Sequence, residues 1–253
     1  MTTPSGDDAN GEPAAADAAN HNVWLDRSRA EWDARASRWD ELSERNAAAA
    51  DRAADLDRTW MALRLRPGAR LLDVGCGAGQ FAIAFAERGA RVTAIDLSPA
   101  MIRRARRHAR ERGAAVAWRV GDFTRLDDPL AVYHAIHARV CLQFAPDVPT
   151  ALREFRRVLR PGGRLLASVP GALSPIYRAS WQRFLPDEAQ AVNYILPWEL
   201  EWLLIEHGWR VLNGWGEFGP EFSGVENAFA SHAADLDRRL QQAAATTWTI
   251  VAG

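Results

Sequence analysis

The chain has 253 residues, with 31 basic and 32 acidic side chains giving a net charge of −1, and every basic residue is arginine. This balance gives no long-range attraction to nucleic acid, and the two cysteines, Cys76 and Cys141, match no metal or CxxC spacing and so build no disulfide scaffold. No run of about 18 apolar residues is present to cross a bilayer, and the first residues lack a basic n-region and an apolar h-region. The expectation is a cytoplasmic protein without a membrane partner, of a length that suits one α/β domain with additions.

In chain order, residues 1–20 (MTTPSGDDANGEPAAADAAN) are small, acidic and punctuated by proline and glycine. They carry too little apolar surface to offset ordering entropy, so a disordered tail is expected. From Val23 the character changes, with Trp24, Trp32, Ala36 and Trp39 at compatible helical spacing. One or two amphipathic helices, forming a helical lid over 21–66, are expected before the main domain at 67–253.

From Arg70 strand and helix patterns alternate. Strands are predicted at 70–74, 91–96, 116–120, 131–138 and 163–169. Between them, 80–88 ends at Gly89, and 98–112 opens on Ser98-Pro99, an N-cap followed by proline at the first helical position. A third helix, 147–160, carries Val148, Ala151, Leu152, Phe155, Val158 and Leu159 on one stripe before Pro161-Gly162-Gly163. The alternation predicts an α/β fold with a doubly wound, mostly parallel sheet.

After the fifth strand comes 171–198, which is aromatic-rich without a clean period. A helix at 197–207, a strand at 209–215, a helix with Phe229, Ala233, Leu236 and Leu240 on one face, and a β-branched end (TTWTIVA) follow. The last two strands predict an antiparallel hairpin closing one edge of a seven-stranded sheet, with 171–198 and 216–245 as cap insertions.

Ligands of doubly wound sheets sit at the carboxyl ends of the strands. The first strand–loop–helix reads LLDVGCGAGQ, with Asp73 ahead of Gly75, Gly77 and Gly79. A dinucleotide site wants G-x-G-x-x-G, and Gln80 stands where the last glycine should fall. An acidic residue on strand one, G-x-G-x-G, and Asp96 ending strand two instead make the chain resemble a class I S-adenosylmethionine-dependent methyltransferase of the broad small-molecule type, well over about residues 30–170 and only in outline beyond. The resemblance implies S-adenosylmethionine as cofactor, S-adenosylhomocysteine as product, and a Rossmann-like methyltransferase fold.

It also implies roles. The glycines, with Cys76 and Gln80 beside them, would admit the ribose and methionine portions. Asp96 would accept the ribose hydroxyls, Asp73 would orient the methionine ammonium, and Leu97 and Met101 would flank the adenosine. Asp122 would take the adenine amino group with Phe123 beside it, and the Arg139 backbone carbonyl would receive the ammonium. The stretch WDARASRW is similar to the family's signature ahead of strand one, which folds over the cofactor and would place Trp32 and Trp39 there; packing of a helix on the core explains the two rings equally well.

The chemistry is less determined. Transfer of a sulfonium methyl needs alignment and exclusion of water, and neither a metal nor a covalent intermediate is required. No histidine ligand cluster is evident. The family often has a histidine past strand four, where this chain has Gln143 and Phe144. His134 falls at the wrong end of the sheet, His137 in mid-strand and His207 at a helix end, so no catalytic residue is assigned. Tyr177, Arg178, Trp181, Arg183 and Tyr194 are candidates for a substrate pocket with cationic anchors, the other reading of 171–198 being a lid held by its own aromatics. A small-molecule acceptor is expected. A tRNA or rRNA methyltransferase has only RRARRHARER (103–112) in its favour, which a solvated helix face also explains, and the N/D-P-P-Y box is absent. A non-catalytic cofactor-binding module is the third reading.

Overall fold

The computed structural model describes residues 12–45, 49–178, 180–185, 191–218 and 234–253. Two helices lead, α1 (Glu12–Arg45) and α2 (Ala49–Ala62). Then follow β1 (Arg70–Val74), α3 (Gln80–Glu87), β2 (Arg91–Asp96), α4 (Pro99–Glu111), β3 (Val116–Val120), β4 (Tyr133–Arg139), α5 (Val148–Val158) and β5 (Leu159–Pro170). After them come α6 (Pro175–Arg178), α7 (Pro197–Glu206), β6 (Val211–Glu217), α8 (Ala234–Ala244) and β7 (Thr247–Ala252), with short 3-10 turns at Leu142–Phe144 and Ser180–Phe184.

Among the described residues seven strands form one sheet in the order β3-β2-β1-β4-β5-β7-β6. The first five are parallel to their neighbours, and β7 runs antiparallel between β5 and β6. The fold is the doubly wound, mostly parallel α/β sheet expected of the sequence. Its strand order reverses between β1 and β4, the place where such sheets bind ligands.

Strand periodicity divides the core. Leu71 faces Phe85, Val92, Ala94 and Ala135 on one side of the sheet. Leu72 and Val74 face Ile136, Phe155 and Leu165 on the other. Both faces of β1 are therefore buried, as a central parallel strand requires. Asp73 shares the face of Leu71 by the same alternation, which puts a carboxylate in an apolar layer under α3.

Several features differ from the sequence reading, the strands expected at 131–138 and 209–215 being found at Tyr133–Arg139 and Val211–Glu217. Residues 12–20, expected in the disordered tail, are the opening turns of α1. Five alanines in that stretch are the best helix formers, and Pro13 suits a first turn, so low hydrophobicity hides a strong local preference. Strand β5 begins at Leu159, earlier than 163, because Leu159 pairs with Tyr133 ahead of an irregularity in the ladder. The late hairpin is present, but its second strand is the inner one. Phe229 and Ala233, placed on the late amphipathic helix, lie outside the described residues; α8 starts at Ala234.

Candidate active site

The loop after β1 is built from left-handed backbone: φ is +62° at Gly75, +53° at Gly77 and +84° at Gly79. Only glycine adopts these angles without cost. The three positions differ in what excludes a side chain. A Cβ on Gly75 would lie 2.4 Å from the Cβ of Cys141, and one on Gly79 would lie 2.4 Å from the Trp118 ring and 2.9 Å from the Cβ of Ala105. At Gly77 the nearest atom is the indole nitrogen of Trp39 at 3.8 Å. Protein packing thus forbids side chains at Gly75 and Gly79, whereas at Gly77 the space is open.

Asp96, at the end of β2, ties this loop to the next helix. Its Oδ2 accepts from the Gly77 amide at 2.8 Å and its Oδ1 from the Ser98 amide at 2.9 Å. Each oxygen keeps lone-pair capacity for another donor. Burial pushes its pKa from 3.8 up to about 6, the two amide donors oppose the shift, and the charges of Asp73 and Asp33 add to it. The start of α4 is fixed twice: Ser98 Oγ accepts from the Met101 amide at 3.1 Å, and Asp33 of α1 accepts from Ser98 Oγ and, at 3.0 Å, from the Ala100 amide. The aspartate in WDARASRW is therefore the hinge that docks α1 across the strand ends.

On the far side of β1, Asp73 Oδ1 lies 2.7 Å from Nδ1 of His137, and both side chains are buried. Past β4 the backbone turns through Val140 at φ +51°, an uncommon state for a β-branched residue, held by bonds from its amide to the Ser168 carbonyl (3.0 Å) and hydroxyl (3.2 Å). The Arg139 guanidinium leaves the sheet there, 2.7 Å from Glu217 and 3.4 Å from Asp55, and over the Phe81 ring. Burial pushes Glu217 upward despite Arg139. Asp122, after β3, accepts from the Thr124 amide at 2.8 Å and from its hydroxyl, and lies 3.1 Å from Nε2 of His21 on α1.

These groups enclose a cavity of about 460 Å³, a size that suits a small-molecule ligand. Asp73, Gly75, Cys76, Gly77, Gln80, Asp96, Leu97, Met101, Asp122, Phe123, Arg139 and Trp39 all line it. Of the cofactor-side candidates, Gly79 does not; Trp118 and Ala105 occupy the place its side chain would take. Trp32 and Trp39 pack edge to face at 5.5 Å, and Trp32 meets Phe144 in the same way at 5.0 Å. Trp24 donates to the Phe144 carbonyl at 2.9 Å, which anchors α1 on the opposite rim. The thiols of Cys76 and Cys141 are pushed up by burial and by Asp96 and Asp73, so neither supplies a thiolate.

The substrate-side candidates are placed elsewhere. Tyr177, Arg178, Trp181 and Tyr194 do not line the cavity, and the side chain of Arg183 lies outside the described residues. The reason is local packing: Tyr177 meets Tyr194 at 5.5 Å and donates its hydroxyl to the Ile195 carbonyl, while Trp181 is exposed. Among the described residues of 171–198, none lines the cavity. Thr246 and Thr247 line the cavity instead, because β7 is antiparallel and its first residue pairs with Pro170 at the carboxyl end of β5.

Leu25 and Ser28 also line it, with Trp32 and Trp39. Their spacing of three, four and seven is a single helical stripe that the sequence displays. His134 sits at the opposite end of β4, accepting from the Arg70 amide at 3.0 Å, and His207 caps α7 through the Leu203 carbonyl at 2.8 Å. Gln143 is buried and donates to the Val140 carbonyl at 3.1 Å, so it does not reach the cavity as a base. The arginine helix is not simply a solvated face. Arg104 and Arg107 lie 3.1 and 3.2 Å from Asp40 of α1, and Arg112 pairs with Glu87. Among the described residues no cluster of histidine, cysteine and carboxylate side chains is set to hold a metal, and no helix is long and apolar enough to cross a membrane.

Residues 71–163 match the family model of a methyltransferase domain. A malonyl-[acyl-carrier protein] O-methyltransferase of Serratia marcescens is 41% identical over 133 residues, covering 52% of this chain and 49% of that protein. A ubiquinone biosynthesis O-methyltransferase of Xanthomonas axonopodis pv. citri is 39% identical over 111 residues, 43% of this chain and 46% of that one. The chain thus spans about half the length of these curated relatives. Among solved structures the [4+2]-cyclase SpnF superposes with a TM-score of 0.59 at 24% identity, covering 78% of this chain and 79% of that one, a likeness of fold alone.

Proposed function

We propose that the chain, whose residues 71–163 match a methyltransferase domain, is a class I S-adenosylmethionine-dependent methyltransferase that binds S-adenosylmethionine in the cavity over β1 and β2 and transfers the methyl group to a small organic acceptor. The observation that carries this reading is the pair of carboxylates, Asp73 and Asp96, near the ends of the neighbouring strands β1 and β2, which line one cavity with the open Gly77 position. Asp73 Oδ2 is buried and has no partner, a cost of about 1–3 kcal/mol that an arriving donor removes. An acidic, largely apolar cavity with orphaned acceptors fits a cationic ligand with an amino-acid end.

The bound cofactor supplies an electrophilic methyl on sulfur. The chain's part is to hold and shield. Asp96 accepts the ribose hydroxyls, Gly77 lets the backbone come close, Leu97, Met101 and Phe123 form the apolar walls for adenine, and Asp122, already set by Thr124, accepts its amino group. Helix α1, pinned by Asp33, Asp40 and Trp24, excludes water from above. Alignment of this kind accounts for effective molarities of about 10⁵–10⁸ M in intramolecular reactions. The acceptor approaches from the rim of Phe144, Pro146, Arg139 and Thr246–Thr247. Part of that rim, Thr246–Thr247, lies outside the matched residues, so the acceptors named for the relatives are the first to offer and are not assumed. The arginines of α4 that hold Asp40 are engaged within the fold, which disfavours RNA.

Two measurements test the reading. S-Adenosylhomocysteine release is assayed with small metabolites and with total RNA as separate acceptor fractions; turnover with metabolites is expected, and turnover with RNA alone overturns the acceptor class. Binding without turnover in either fraction favours the second reading, a cofactor-binding scaffold. The observation in its favour is that the thiols on the cavity are held neutral and His137 is engaged by Asp73. The second measurement is the pH dependence of cofactor affinity. Ribose hydroxyls prefer the ionised Asp96, so binding lowers its pKa and releases a proton wherever the free site is protonated. Affinity is expected to be flat above about pH 6 and to fall by up to about tenfold per unit below it. A profile flat down to about pH 5 would remove Asp96 from the contact.

A further inference from the structure

His137 is a buried side chain on the cavity that the proposed mechanism leaves without a task. Its placement follows from strand register. Asp73 on β1 and His137 on β4 are directly paired positions, and both fall on the sheet face that α3 covers, where Phe81 and Phe85 hold the imidazole at 5.0 and 5.3 Å between centroids. The ring is confined by these contacts, and its Nδ1 lies 2.7 Å from Asp73 Oδ1.

A carboxylate only accepts hydrogen bonds, so this contact assigns the proton to Nδ1. Two atoms of the pair are left over. Asp73 Oδ2 and His137 Nε2 are both buried and both without a partner, and both residues line the cavity. In the neutral ring with its proton on Nδ1, Nε2 is a lone-pair acceptor. Two orphaned acceptors beside one cavity are a costly arrangement for an empty apolar wall and a good one for an ammonium, whose three N–H groups need acceptors.

We propose that His137 is a positioning residue that locks the Asp73 carboxylate in the rotamer presenting Oδ2 to the ligand's primary ammonium, so that the His137–Asp73 pair selects ligands carrying a free α-amino group. This rests on the cofactor reading above and deepens it. The selectivity belongs to the pair. A lone aspartate in the same layer turns about its own side-chain torsions, whereas Asp73 is held by a ring that two phenylalanines fix.

The test compares S-adenosylhomocysteine with 5′-methylthioadenosine, which keeps the adenosine and sulfur and lacks the amino-acid end, by calorimetry on the full chain. In His137→Leu the affinity for S-adenosylhomocysteine is expected to fall about tenfold or more, the scale of one charge-assisted bond. The affinity for 5′-methylthioadenosine is expected to stay within about twofold. His137→Asn, whose amide nitrogen takes the place of Nδ1, should restore most of the loss. His137→Gln, whose amide takes the place of Nε2, should not, and it carries the comparison if the leucine variant does not fold. Equal losses for both ligands would make His137 a packing residue and overturn the proposal, as would unchanged affinities or a failure of asparagine to rescue. If the wild-type chain binds neither ligand, the cofactor reading itself has failed, and the inference falls with it.

Discussion

Gly79→Ala is expected to destabilise the fold by about 2–5 kcal/mol, while Gly77→Ala costs about 1–2 kcal/mol and acts chiefly on ligand affinity. The two glycines belong to one motif and share a left-handed backbone, so the conformational part of the cost, about 1–2 kcal/mol, is common to both. The difference is steric. A methyl at Gly79 meets the tip of the Trp118 ring at 2.4 Å and the Cβ of Ala105 at 2.9 Å, between β3 and α4; Ala105 is fully buried, so the indole of the edge strand has to shift. A methyl at Gly77 meets nothing closer than 3.8 Å; it points into the volume assigned to the cofactor. Denaturant unfolding of both variants, with cofactor titration of the one that folds, reads the two effects separately. Equal destabilisation of the two, with cofactor affinity unchanged in Gly77→Ala, would mean that the loop serves the fold and not a ligand.

Replacing Asp96 is expected to separate stability from binding. At neutral pH the carboxylate is ionised against its burial; the rise from 3.8 to about 6 corresponds to about 3 kcal/mol at most. The sign follows from proton binding. The folded chain holds this proton more tightly than the unfolded one, so between about pH 4 and 6 stability falls as pH rises, and the full cost stands above about 6. Asp96→Asn removes that cost and keeps an acceptor oxygen for one of the two amides, from Gly77 and Ser98, that Asp96 serves. The other amide then faces the asparagine NH2, donor against donor, a loss of about 1–3 kcal/mol that offsets the relief, so the unliganded variant should unfold close to the wild type at pH 7, while cofactor affinity drops by about 1–3 kcal/mol for the weakened ribose contact. Lower stability with unchanged affinity would make Asp96 a loop staple and nothing more.

The residues that punctuate the chain explain how much was legible in advance. Strands at 70–74, 91–96 and 116–120 appear at the expected residues because glycines and the Ser98-Pro99 cap bracket them. The acidic strand ends could be placed on the cavity from sequence for the same reason: their positions are fixed by local turns. Long-range neighbours are not legible in this way. The pairing of His137 with Asp73 depends on β4 lying beside β1 with the two residues in register, and strand order is not a local property. Thr246 and Thr247 reach the cavity because β7 inserts antiparallel between β5 and β6. At 171–198 aromatic richness does not by itself tell a pocket wall from local packing: the rings of Tyr177 and Tyr194 meet at 5.5 Å, and the Tyr177 hydroxyl is taken up by the Ile195 carbonyl. The stripe of Leu25, Ser28, Trp32 and Trp39 is visible in the sequence, and the resemblance singles out only its two tryptophans, for which core packing is an equal reading.

Direct titration of S-adenosylmethionine into the purified chain by calorimetry tests the central claim. The expected result is saturable binding at one site per chain, with a dissociation constant of about 1 μM to 1 mM, competed by S-adenosylhomocysteine and weakened in Asp96→Asn. An absence of saturable heat at pH 7, from a chain shown to be folded, would contradict it.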